Sequence, residues 1–119
     1  MTSSHSEPAA LPEDGTLGGY LKVHDRPPSF DGPDGYPYTV SAEVERTGNL
    51  AAPFLGYLVF PRWAETGVGI VGHVESPALV ECRTEREAHD RLGAMTLSEV
   101  RQLLEDAVAQ LGARDTFNR

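Results

Sequence analysis

The chain has 119 residues, 39% of them hydrophobic and 24% charged, the size and balance of one folded domain. Its formal charge of −8 argues against nucleic acid as a partner, because phosphate backbones attract Lys and Arg and repel carboxylates. The lone cysteine, Cys82, leaves no intramolecular disulfide and fits a reducing compartment.

The opening MTSSHSEPAALPEDGT lacks a basic start followed by an apolar run. It reads as a flexible tail over residues 1–16 and not as a secretory signal, so a cytoplasmic protein is expected. GYLKVHD (19–25) alternates Leu21 and Val23 with Lys22 and His24, which predicts a half-buried strand. RPPSFDGPDGYP (26–37) then makes a long connection in which Pro33-Asp34-Gly35 sets a turn. Its aromatics, Phe30, Tyr36 and Tyr38, can fold back over the core or serve as a recognition loop.

YTVSAEVER (38–46) predicts a strand with Tyr38, Val40, Ala42 and Val44 on one face and Thr39, Ser41, Glu43 and Glu45 on the other. After the turn residues RTGN, FLGYLVF (54–60) is apolar on both faces, as in a central strand covered on two sides. GVGIVGHVE (67–75) and ALVECR (78–83) follow with short connections, which predicts an antiparallel meander. The longest nearly uninterrupted apolar stretch, Leu50 to Pro61, is far short of the roughly 20 residues that span a bilayer, so no membrane association is expected.

Thr84-x-x-Glu87 and Thr96-x-x-Glu99 are capping boxes, each predicting a helix start. The second helix is the better defined. Leu97, Val100, Leu104, Ala107, Val108 and Leu111 share one face at helical spacing, and Gly112 offers a stop. The expected fold is therefore α+β: a curled antiparallel sheet of about five strands, followed by two C-terminal helices packed on one face. The domain is placed at 17–112, with a second flexible tail at 113–119.

Gly67, Gly69 and Gly72 match the Gly-x-Gly-x-x-Gly fingerprint of dinucleotide-binding folds. That motif works only where the glycines leave a strand and enter a helix facing the pyrophosphate. Here β-branched residues interleave them and Ser76-Pro77 closes the run, so they are expected inside a strand, easing its curvature. No cofactor is expected. The histidines His5, His24, His73 and His89 lack metal-ligand spacing, so no metal is expected either, and Cys82 reads as a small buried hydrophobe.

Two functional readings remain. The first is a small protein-interaction or regulatory module. Two helices cover only one side of a sheet, which leaves the other apolar face of the central strand to a protein partner or, by twofold symmetry, to a homodimer around Leu55, Tyr57 and Val59. The second is a small-ligand-binding protein or small enzyme. His73 and Glu75, two apart on a strand, leave the same face, and Arg62 ends the preceding strand nearby.

Overall fold

The computed structural model describes residues 12–117; His5 and the rest of 1–11, with 118 and 119, lie outside them. An open antiparallel sheet of six strands carries three helices, two of them C-terminal, an α+β arrangement. In chain order the elements are α1 (Leu17–His24), β1 (Ser29–Asp31), β2 (Pro37–Thr39), β3 (Ser41–Arg46), β4 (Phe54–Trp63), β5 (Ile70–Glu75), β6 (Val80–Cys82), α2 (Glu85–Gly93) and α3 (Leu97–Phe117).

The ten-residue strand β4 is the axis of the sheet: β2 and β3 run antiparallel to it, as do β5 and β6, while β1 extends the sheet beyond β2. Tyr38 stands opposite Arg62 and Ser41 opposite Val59, so β2 and β3 hold one register along one side of β4. The predicted strand 38–46 is thus interrupted at Val40 rather than continuous. Pro61 supplies the cause. Ser76 N–H donates to the Leu58 carbonyl on the β5 side, so alternation turns the nitrogen of Pro61 toward Thr39, where it has no hydrogen to give.

The opposite side of β4 is also shared. β5 pairs with residues 59–63 and β6 with residues 54–56. The meander expected from the sequence is therefore replaced by a strand that breaks at Ser76-Pro77 and returns to the same neighbour. At the break the Ser76 hydroxyl accepts the Leu58 N–H (3.0 Å) and donates to the Pro77 carbonyl (2.8 Å), closing the ladder with a side chain.

Residues 19–25 are not the predicted strand. They belong to α1, whose Thr16 hydroxyl accepts the Gly19 N–H and whose C-cap Asp25 takes the left-handed conformation, φ 54°. The alternating residues that suggested a strand, Leu21 and Val23, are 40% and 47% exposed, so no buried sheet face selects that pattern. Long-range contacts select the helix instead. Leu17 N–H donates to Met95 O, Leu97 N–H to Gly15 O, and the Gly18 and Gly93 backbones pack so closely that a Cβ on Gly18 would stand 3.1 Å from Gly93 O.

Both helix starts are capped, but only the second closes its box: Thr84 accepts the Glu87 N–H at 3.0 Å while the Glu87 carboxylate accepts from Arg83 N–H at 3.4 Å, whereas Thr96 and Glu99 bond reciprocally at 3.1 and 2.9 Å. α3 does not stop at Gly112 but continues to Phe117. The fully or nearly fully buried sheet residues Phe30, Tyr38, Val40, Leu58, Phe60, Val74 and Cys82 share the face toward the helices. There a Cβ on Gly56 would meet Leu92 of α2 at 3.0 Å.

Candidate functional site

The alternation that buries Leu58 and Phe60 sends Leu55, Tyr57, Val59, Pro61 and Trp63 to the other face of β4, where all of them keep part of their surface in solvent. Cross-strand neighbours complete this face. Glu43 and Glu45 of β3 stand opposite Tyr57 and Leu55, Glu75 of β5 opposite Val59, His73 opposite Pro61, and Glu81 of β6 opposite Leu55. The result is an apolar and aromatic row with carboxylates on both flanks. Tyr57 donates its hydroxyl to Glu45 at 2.8 Å and Trp63 its indole N–H to Thr39 at 3.0 Å, which fixes both rings. The bond to Glu45 is the main reason the Tyr57 phenol is pushed up to about 12.

His73 and Glu75 lie together on this face, Nε2 to Oε2 3.4 Å, both about half exposed. Arg62 does not join them. It pairs across the strands with Gly72 and Tyr38, so its side chain leaves from the helix-side face, where it meets Asp34 at 3.3 Å and lies over the Tyr36 ring at 3.7 Å. Tyr38 donates to the same Asp34 at 2.8 Å; burial and that bond hold its phenol well above the ordinary range. This Asp34–Arg62–Tyr38 group ties the β1–β2 hairpin to the end of β4. Its sequence clue is the turn Gly32–Gly35, in which Gly35 N–H bonds Gly32 O and Gly35 has φ 87°, aiming Asp34 back at the strands.

The glycines of the dinucleotide-like run are divided. Gly67 and Gly69, at φ 80° and 88°, form the β4–β5 turn rather than lying inside a strand, and Gly72 alone belongs to β5. The run leads from turn to strand and not into a helix, so it presents no helix N-terminus to a pyrophosphate. The accompanying bulge, between Arg62 and Trp63, leaves Val71 as the extra residue.

Beside β5 a cleft of about 700 Å³ opens toward α3, bounded by His73 and Glu75 on the strand and by Leu103, Asp106, Ala107 and Leu111 on the helix. Sequence reasoning found the two strand residues but not the cleft, because the helical face that supplies its other wall sits about thirty residues further along the chain. Cys82 is buried and free, and His89 sits 4.0 Å from Glu85 on the surface of α2. No helix among the described residues is long and apolar enough to cross a membrane. Comparison of the chain with protein-family models, with curated proteins and with solved structures finds no match.

Proposed function

We propose that this protein is a small protein-interaction module whose recognition surface is the helix-free face of the sheet, centred on Leu55, Tyr57 and Val59. The observation that carries this reading is the row from Leu55 to Trp63, part-exposed along its length and bordered by Glu43, Glu45, Glu75 and Glu81. An apolar, aromatic centre inside a charged rim is the usual layout of a protein interface. A rim of one sign selects a partner with an apolar centre ringed by Lys and Arg, and speeds its approach. The test is affinity capture from cell extract with the wild type and with Val59→Glu. Proteins retained by the first, lost by the second and released by salt support the reading; an identical set from both baits refutes it.

Self-association is a second reading, favoured because the row lies along a single strand, so a twofold axis beside Tyr57 would lay one row across its copy. It also sets glutamates against glutamates. Salt would therefore strengthen a homodimer while weakening a complex with a basic partner.

A further inference from the structure

The outer edge of β5 offers a different kind of surface. Among the described residues β5 pairs with β4 alone. Gly72 and Val74 face Arg62 and Phe60, and Ser76 bonds to Leu58, so these residues spend their backbone groups on β4. Alternation turns the N–H and C=O of the residues between them, His73 and Glu75, away from β4. Neither has a backbone partner among the described residues. Edges of this kind are normally blunted by Lys, Pro or a bulge. Here the bulge at Val71 lies nearer the turn, and no register shift interrupts the stretch from His73 to Glu75, which has the cleft and α3 alongside it.

We propose that β5 and α3 form a receptor groove for an extended basic segment of another protein, which adds to the sheet as a further strand. This does not depend on the open face being used. Main-chain bonds to His73 and Glu75 would supply affinity, and alternate side chains specificity. One set of ligand side chains would enter the cleft beside Val74, Ala107 and Leu111; the other would stand next to Glu75 on the open face. Charge selects the ligand. Glu75 and Asp106 stand at the two lips, the chain as a whole carries −8, and among the described lining residues the one group able to turn positive, His73, is already held by Glu75. A ligand with apolar residues alternating with Lys or Arg complements both walls. A second copy fits less well, since a twofold axis along this edge would bring Asp106 of α3 toward its own mate.

The test uses the full chain and a blocked peptide of alternating lysine and valine, followed by calorimetry and by amide exchange in NMR spectra. Expected are one peptide per chain and slowed exchange at His73 and Glu75. Methylating alternate peptide nitrogens removes the donors without touching the protein, and should weaken binding about tenfold or more, as should replacing the lysines by glutamates. Glu75→Lys and Asp106→Lys should do the same, whereas Tyr57→Glu, on the open face, should leave affinity within about twofold. His73→Pro deletes an outward N–H while sparing the ladder to β4, and should abolish binding in a protein whose melting transition is retained. Equal binding of the N-methylated peptide, or no binding at all, overturns strand addition. Loss in Tyr57→Glu with retention in Asp106→Lys moves the ligand to the open face and also overturns the groove. Protection of His73 and Glu75 in a peptide-free dimer assigns the edge to a second copy, with the same consequence.

Discussion

Single residues in this protein are constrained most where the sheet meets α2. A side chain on Gly56 would approach Val80 at 2.7 Å and Leu92 at 3.0 Å, so Gly56→Val should cost about 1–3 kcal/mol through overpacking, read as a lower urea midpoint. Gly72→Val should be nearly neutral in the same assay, because the nearest atom to a new Cβ is Arg62 Cδ at 4.0 Å and φ is ordinary there. Gly69 has open space but a φ of 88°, so its cost is in the backbone alone. The fingerprint-like glycines therefore differ in role from one another. Tyr57 gives a second test at this scale. Its phenol, pushed to about 12 chiefly by Glu45, should move back toward the ordinary value in Glu45→Ala, followed by ultraviolet titration. Because the fold holds that proton more tightly than the unfolded chain, the contribution is complete below the ordinary tyrosine value near about 10. It is lost as pH rises through about 12.

At the scale of elements, α3 and α1 rest on different physics. α3 begins with a reciprocal capping box and buries Val100 and Leu104 completely. Thr96→Ala should lower stability by about 1 kcal/mol through the lost cap, and Leu104→Ala by about 2–5 kcal/mol through the cavity, both measurable by denaturant titration. α1 has eight residues, two of them glycine, and buries only Leu17, too little to hold a helix alone. Its support comes from Met95, Gly93 and the contact of His24 with Asp14 at 3.0 Å. The hydrogen bond from His24 depresses the Asp14 carboxyl, so this support is present above the ordinary aspartate range and is lost as pH falls through the depressed value. Protection of α1 amides, measured relative to their intrinsic exchange rate at each pH, should fall on acidification before that of α3 does.

For the whole molecule, the placement of three helices on one side leaves an acidic sheet face and a free strand edge on the other surfaces. Light scattering at about 10–100 μM, above the dissociation constant of a typical stable dimer, should return a monomer in low salt, because the rim carboxylates oppose face-to-face stacking. A dimer that persists or tightens as salt is added, and that Tyr57→Glu dissociates, would assign the face to self-association instead.

The α+β class, both C-terminal helices with their caps, the turn at Pro33-Asp34-Gly35 and the central place of β4 were legible from local pattern, because caps, turn residues and alternation act within a few residues, whereas the expected cover on the second face of β4 is absent among the described residues. Leu21 and Val23 misled because two alternating residues fit strand and helix equally, and only the docking of Gly18 on Gly93 chooses between them. The break at Val40 depended on which edge of β4 the missing hydrogen of Pro61 faces, and the extension of α3 past Gly112 shows that an isolated glycine does not by itself end a helix. His73 and Glu75 were found as a pair from their spacing of two. Their separation from Arg62, and the cleft they share with α3, arise from strand register and helix placement, contacts between distant parts of the chain that alternation and spacing do not encode.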